Sequence, residues 1–238
     1  MKLSIEDLSF SYGENKVLKN VSFSSFGGEA IAVLGPNGVG KSTSFKCILG
    51  FLPFKRGKIE IDGRDVAKMS GKELSRHIAY IPQSSSPVFN HSVLDSVSMG
   101  LTNQMGLFSV PGEKERAKAM NALERLGIDK LAERGCMNIS GGERQLMLIA
   151  RAMVQDAKII VMDEPTSSLD YGNSYRVMET IMSLTKEGYT ILFSTHDPDY
   201  AMRYSDRVIA FSDGAIIRDG SGEQVLTPDV LSTLYSIN

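Results

Sequence analysis

No stretch of these 238 residues approaches the roughly 18 uncharged apolar residues that a membrane-spanning helix needs, so the sequence offers no candidate span. The segment after Met1, KLSIEDLSF, lacks the basic n-region and apolar h-region of a secretory signal. The expectation is a chain that stays in the cytoplasm, soluble when isolated, with any membrane role supplied by a partner. Cysteine is scarce: Cys47 and Cys136 lie far apart without a neighbouring histidine pattern, which reads as free thiols in a reducing compartment rather than a metal site or disulfide. An excess of one charge is lacking too. With 26 Lys and Arg against 28 Asp and Glu, net charge -2 and the cations dispersed, no nucleic-acid partner is expected. There is no internal repeat or low-complexity linker, and 42% hydrophobic residues suffice for a large core in one domain, or a core with a satellite.

What is present begins with short β-rich runs. KLSIEDLSFSY and VLKNVSFSSF read as half-exposed antiparallel strands, AIAVL (30–34) as a buried one, and further short strands follow at GKIEIDG (57–63) and HIAYIPQ (77–83). Pro82 and Pro87 then take the chain out of the sheet. From about 86 to 153 the pattern is mostly helical; EKERAKAMNALERLGI puts Ala119, Leu123 and Leu126 on one face, with Gly127 as a stop. KIIVMDEP (158–165) resumes the sheet, and a helix with Val177, Ile181 and Leu184 on one face leads to strand YTILFST. RVIAF and AIIRD form a hairpin across Asp213-Gly214, and TPDVLSTLY closes as a helix with Thr227 as N-cap and Pro228 at its first position. Strands alternating with helices imply an α/β core with a parallel sheet.

GPNGVGKST (35–43) follows the buried strand AIAVL and opens a helix, the context in which G-x-x-x-x-G-K-[ST] cradles a phosphate. Its glycines let successive N–H groups converge on an anion at a helix N-terminus. Lys41 would reach the β and γ phosphates, and the Ser42 hydroxyl would ligate Mg²⁺. Asp163-Glu164 end a second apolar strand, and ligands collect at the carboxyl ends of parallel strands, so this pair and the cradle should open onto one edge. Asp163 suits the Mg²⁺ shell through water; Glu164 can polarise a water for attack on the γ-phosphate.

NISGGERQLMLIARA (138–152) is a second cradle without a lysine. Leu146, Ile149, Ala150 and Met153 form an i, i+3, i+4, i+7 stripe, which places Ser140-Gly141-Gly142 at the N-terminus of an amphipathic helix. Such a surface binds weakly alone and makes sense as the completion of another site. The economical arrangement is a head-to-tail homodimer in which each Ser140 loop covers the nucleotide held by the other copy's Lys41 loop. The plain alternative for the same residues is an ordinary helix cap.

Together these features resemble the ATP-binding cassette ATPases along nearly the whole chain. GPNGVGKS resembles the Walker A loop, NISGGERQ the family signature, IIVMDE Walker B and SSLD (167–170) the D-loop. Gln83 stands where the family has its Q-loop glutamine, His196 at the switch histidine and Tyr12 at the aromatic residue that stacks on adenine. The resemblance implies an α/β P-loop NTPase with a RecA-like, mostly parallel sheet, an N-terminal antiparallel β subdomain and an inserted helical subdomain. In a single 1–238 domain, residues 1–85 and 154–238 would be the nucleotide-binding core and 86–153 the helical part. It implies ATP and Mg²⁺ held by Gly35, Pro36, Asn37, Gly38, Val39, Gly40, Lys41, Ser42 and Thr43 with Tyr12, and by Ser140, Gly141, Gly142 and Asp170 working across a dimer. Glu164, His196, Lys41 and Gln83 would be catalytic, and Ser42, Gln83 and Asp163 would serve the metal. Ile139 and Glu143 depart from the commonest LSGGQ form, Glu143 placing a negative charge beside an incoming phosphate.

RHIAYIPQSSSPVFNHSVLDSVSMG (76–100) is similar to the ATPases of iron-complex, haem and cobalamin importers. That likeness implies a homodimer at the cytoplasmic face of the membrane, driving separate permease subunits and served indirectly by a solute-binding protein. A groove near 84–100 exposing Val88, Phe89 and Val93 would receive the permease. A separate-chain exporter ATPase and a soluble regulatory module remain as alternatives.

Overall fold

The computed structural model describes residues 1–83, 89–105 and 110–236. Strands β1 (Leu3–Tyr12) and β2 (Asn15–Ser24) form an antiparallel hairpin turning at Gly13, whose φ of 59° suits a residue without a side chain. Next come β3 (Ala30–Leu34), α1 (Lys41–Ile48), β4 (Arg56–Ile61) and β5 (Arg64–Asp65). β4 pairs with the other edge of β1, which gives a four-stranded antiparallel sheet in the order β2-β1-β4-β5.

After α2 (Gly71–Leu74) and β6 (Ile78–Ile81), the chain runs through α3 (Val93–Ser98), α4 (Glu113–Arg125) and α5 (Gly141–Val154) before β7 (Ile159–Met162). The last third holds α6 (Tyr171–Lys186), β8 (Thr190–Thr195), α7 (Pro198–Arg203), β9 (Arg207–Ser212), β10 (Ala215–Gly220), α8 (Gly222–Val225) and α9 (Pro228–Tyr235). The second sheet runs β10-β9-β3-β8-β7-β6, parallel throughout except for β10, which turns back antiparallel through Asp213 and Gly214, both at positive φ. Two central residues at positive φ are what a tight hairpin with right-twisted strands demands.

The apolar runs read as buried strands are buried because both faces of the parallel sheet are covered. Along β3, Ala30, Ala32 and Leu34 join a core with Ile149, Val177 and Ile181, while Ile31 and Val33 join the opposite core with Phe45, Ile48 and the inner residues of the antiparallel sheet. α4 buries Ala119, Ala122 and Leu123, with Leu126 packed beside them, and ends where Gly127 takes φ 64°. α9 starts at Pro228 with Thr227 as N-cap. Cys47 and Cys136 are both free and buried.

The expected permease groove is corrected in part. Val93 is fully buried: it opens α3 under the Ser92 cap and turns into the core shared with α4 and α5, so it cannot serve as an exposed contact. Phe89 is two-thirds exposed, and Val88 lies outside the described residues. Among the described residues, no helix is long and apolar enough to cross a membrane.

Candidate active site

The Gly35–Thr43 loop joins β3 to α1 at the carboxyl edge of the parallel sheet. A Cβ on Gly35 would come within 2.3 Å of the Phe211 carbonyl oxygen, and Gly40 at φ 110° sits where side chains are strained. Only glycine lets the loop pass here. Pro36 and Val39 are half-buried, Asn37 and Gly38 exposed, and Gly214 N–H holds the Val39 carbonyl. The N-cap of α1 is Gly40, which offers no side-chain cap, and no acid occupies the first turn, so nothing in the helix itself competes for an anion there.

Lys41 folds back over this loop, its Nζ donating to the carbonyls of Gly35 (2.6 Å) and Pro36 (2.9 Å) and lying 3.9 Å from Glu164 Oε1. Only 4% of it is exposed. Burial is the dominant influence and holds its pKa below that of a free lysine, against the opposing pull of Glu164 and Asp163. A buried ammonium that burial still destabilises, despite these two carboxylates, is a ready anion partner. Thr43 follows, half-buried in α1.

The acids stand at the end of β7, two strands from β3. Ser42 Oγ donates to Asp163 Oδ1 at 3.0 Å, bringing the cradle and the acidic pair together across 121 residues of sequence. These two oxygen ligands fit a hard divalent cation that takes its remaining ligands from phosphate and water; among the described residues no group of three acidic, His or Cys side chains forms an all-protein cage. Glu164 is buried, and two residues converge on its Oε2: Gln83 Nε2 donates at 3.2 Å, and His196 Nδ1 lies 3.4 Å away. Gln83 therefore touches the Glu164 carboxylate rather than Asp163 or Ser42. His196 is itself held by its neighbours: Tyr235 of α9 donates its hydroxyl to the His196 carbonyl at 2.7 Å, and Asp197 caps α7.

Glu164 adopts φ 45°, an unusual left-handed conformation that costs of order 1–3 kcal/mol and persists only where the surroundings impose it. Ser194 supplies part of that imposition and was not foreseen. Fully buried in β8, its Oγ accepts the Glu164 N–H (2.8 Å) and donates to Asp163 Oδ1 (2.7 Å), so one hydroxyl sets both acids. The signal was there: Ser194 is a hydroxyl that directly follows the apolar run ILF (191–193) in the same buried strand, where a polar group needs partners. Ser194→Ala is expected to lower turnover about 10- to 100-fold, the weight of hydrogen bonds to charged groups, with a much smaller change in ATP affinity. Steady-state ATPase assays paired with ATP titration check this.

Ser140 is exposed at the N-cap of α5 and forms a capping box: Glu143 N–H meets Ser140 Oγ at 3.3 Å, and Glu143 Oε2 accepts the Ser140 N–H at 2.7 Å. The Ser140 backbone and hydroxyl bonds hold the Glu143 carboxyl below the usual carboxylate range. The charge expected to face a phosphate is thus folded back onto the helix end, a pattern legible in S-x-x-E. Gly141 is exposed and Gly142 buried. Asp170 caps α6, Oδ1 accepting the Asn173 N–H at 2.9 Å. Within the one chain, Ser140 and Asp170 are seen as helix caps. Tyr12, half exposed, packs in a T-shaped pair with Phe10, ring centroids 4.8 Å apart.

Comparison with known proteins agrees with this geometry. Residues 18–167 match the model of the ABC transporter family. The chain is 36% identical over 237 residues to the "Probable iron chelatin transport ATP-binding protein" of Helicobacter pylori, covering 99% of this chain and 93% of that one. It is 37% identical over 242 residues to the phosphonates import ATP-binding protein of Oceanobacillus iheyensis, covering 98% and 95%. Among solved structures, one described as an inward-facing transporter of metal-chelate type superposes with a TM-score of 0.88 at 33% identity, covering 99% of this chain and 88% of that one. With a phosphate loop, paired acids and a family match spanning more than half its length, this chain belongs to the ABC transporter family as an ATP-binding, ATP-hydrolysing subunit.

Proposed function

We propose that this chain powers an importer for an iron complex, haem, cobalamin or a similar solute, acting as a homodimer on separate permease subunits at the cytoplasmic face of the membrane. The observation that carries the hydrolytic part is the convergence of Gln83 and His196 on one oxygen of Glu164, beside the Ser42–Asp163 pair. Ser42 and Asp163 would hold Mg²⁺, which when bound neutralises charge on the β and γ phosphates. Lys41 grips the same phosphates, and Tyr12 offers a face to adenine. Glu164 Oε2 takes the proton of a water whose oxygen attacks the γ-phosphorus as the bond to the bridging oxygen breaks. Gln83 and His196 keep that carboxylate aimed. Ser140, Gly141, Gly142 and Asp170 serve the nucleotide of the other copy. Closure then depends on the γ-phosphate, because a ligand shifts a two-state equilibrium only through differential affinity. In this reading residues 1–85 and 154–238 act as the nucleotide-binding core and 86–153 as the helical subdomain.

The permease surface is supported by a groove of about 620 Å³ lined by Phe51, Leu52, Phe54, Met69, Tyr80 and Leu148 among others. Phe51 is 62% exposed and meets Tyr80 edge-on, an apolar invitation with the charged Arg151 at its margin.

An iron complex is favoured by the H. pylori relative and the metal-chelate type structure; the phosphonate importer at similar identity favours an oxyanion as the second reading. The test is ATPase stimulation of the reconstituted transporter by loaded binding proteins: ferric hydroxamate, haem, cobalamin and phosphonate in parallel. Stimulation by one of the first three is expected. Stimulation by phosphonate alone replaces the cargo, and stable association with ribosomes or DNA in place of a membrane protein overturns the transport reading.

A further inference from the structure

Gly142 is the second glycine of the Ser140 loop, and its lack of a side chain is usefully explained by what stands next to it. A Cβ at this position would lie 2.2 Å from Asn173 Oδ1, 2.4 Å from Asn173 Cγ and 2.8 Å from Asn173 Cβ. No real Cβ tolerates such distances. An obstacle therefore lies inside the same subunit, on the first turn of α6.

Asn173 is not free to swing aside. Its Nδ2 donates to Asp170 Oδ2 at 2.6 Å while its N–H bonds Asp170 Oδ1 at 2.9 Å, so the amide is oriented with its nitrogen on the D-loop carboxylate and its oxygen over Gly142. The same neighbourhood closes on the other side of the loop, where a Cβ on Gly141 would stand 3.3 Å from Leu169 Cδ2. One turn further along α6, Arg176 Nη2 donates to the Leu126 and Gly127 carbonyls at the end of α4. α6 thus meets the helices between β6 and β7 at two places, by close packing of Asn173 on Gly142 and by the Arg176 hydrogen bonds, and the first of these brings the Asp170 and Ser140 loops together.

The geometry points to Asn173 as a positioning residue that holds the Asp170 loop against the Ser140 loop within one subunit, so that both arrive at the opposite nucleotide at a fixed spacing, with the absence of a side chain at Gly142 required by Asn173. The inference rests on the dimer reading above for its consequence, but not for the clamp itself. Asn173 would touch no reacting atom. Its effect runs through the placement of Asp170 and Ser140.

Two measurements test this. The first uses the Glu164→Gln background, where ATP-driven dimerisation is followed by sedimentation for Gly142→Ala, Asn173→Gly and the pair combined. Gly142→Ala should weaken the ATP-bound dimer about a hundredfold by overpacking, and Asn173→Gly about tenfold by loss of the clamp. The double variant should be no worse than Asn173→Gly alone, because removing the Asn173 side chain makes room for the methyl group. If the two losses instead multiply, the Gly142 methyl obstructs something other than Asn173 and the inference fails. Should Gly142→Ala not fold, recovery of the folded protein in the double variant supports the inference, and failure to recover counts against it.

The second reads the clamp in the isolated subunit, where no dimer is needed. Asn173→Asp keeps the size but sets a carboxylate against that of Asp170, so hydrogen exchange should accelerate together in residues 140–144 and 169–173. Acceleration confined to 169–173 overturns the clamp. If the Glu164→Gln protein never dimerises with ATP while the two loops still loosen together, the dimer reading falls and the clamp stands.

Discussion

Glu164→Gln should reduce ATP hydrolysis by about a thousandfold, the typical weight of a general base, while leaving ATP bound and trapping the dimer. The physical grounds are local. The substitution preserves the size and one carbonyl oxygen of the side chain, so the contacts from Gln83 and His196 can be retained in part. Among the described residues, it removes the only buried carboxylate placed to accept a proton without also bonding Ser42 and Ser194, as Asp163 does. The negative charge 3.9 Å from Lys41 goes with it, which frees that ammonium for phosphate rather than weakening the grip. ATP should therefore hold the two copies together for want of hydrolysis. Sedimentation with and without ATP measures this, and a monomer at saturating ATP contradicts the dimer.

Much of this site could be read from the chain because phosphate chemistry constrains residues in short contiguous runs. Gly35 to Thr43 is legible since a strand, a glycine-rich turn and a helix must follow one another within nine positions; the structure shows the turn exactly where Gly35 meets the Phe211 carbonyl and Gly40 adopts positive φ. The continuous apolar runs AIAVL and IIVM announced strands covered on both faces. What the chain concealed were the partners brought in by tertiary packing. Ser194 lies 31 positions from Asp163, and Tyr235 lies 39 from His196; no local pattern links them. Val93 shows the converse error, since an apolar residue beside a proline-containing segment reads equally as groove or core, and only the packing of α3 on α4 and α5 decides. Glu143 shows a third kind: its charge was legible, but the capping box that turns the carboxylate onto Ser140 N–H was overlooked.

In the proposed dimer, the same contacts would let two weak-looking loops serve one firm site. Ser140 and Asp170 are spent as helix caps within their own chain, so each presents a helix N-terminus whose first turn is already ordered. An ordered donor array costs little further entropy when an anion arrives, which is where preorganisation contributes affinity. In the proposed dimer the Lys41 loop would supply the charge that those helix ends lack. Neither half would be a strong site alone, and their combination would make nucleotide binding and association interdependent.

Lys41→Ala should lower ATP affinity about 10- to 100-fold, the loss expected when charge-assisted bonds to phosphate disappear. The structure adds a pH signature to this expectation. Burial holds the Lys41 pKa below its ordinary value, so the ammonium is lost at lower pH than in a free lysine. Polyphosphate favours the charged form and raises that pKa on binding, so ATP should draw a proton onto the protein as pH approaches the depressed value. The affinity of the parent chain should accordingly fall as pH rises through that value, whereas Lys41→Ala should follow a flatter course with no such proton uptake. Calorimetry in buffers of different ionisation enthalpy measures the uptake directly. Lys41→Arg should not restore binding, because a planar guanidinium cannot take the place of an ammonium held between the Gly35 and Pro36 carbonyls at 2.6 and 2.9 Å. An alanine variant that binds ATP as tightly as its parent, with the same proton uptake, would remove Lys41 from the phosphate site.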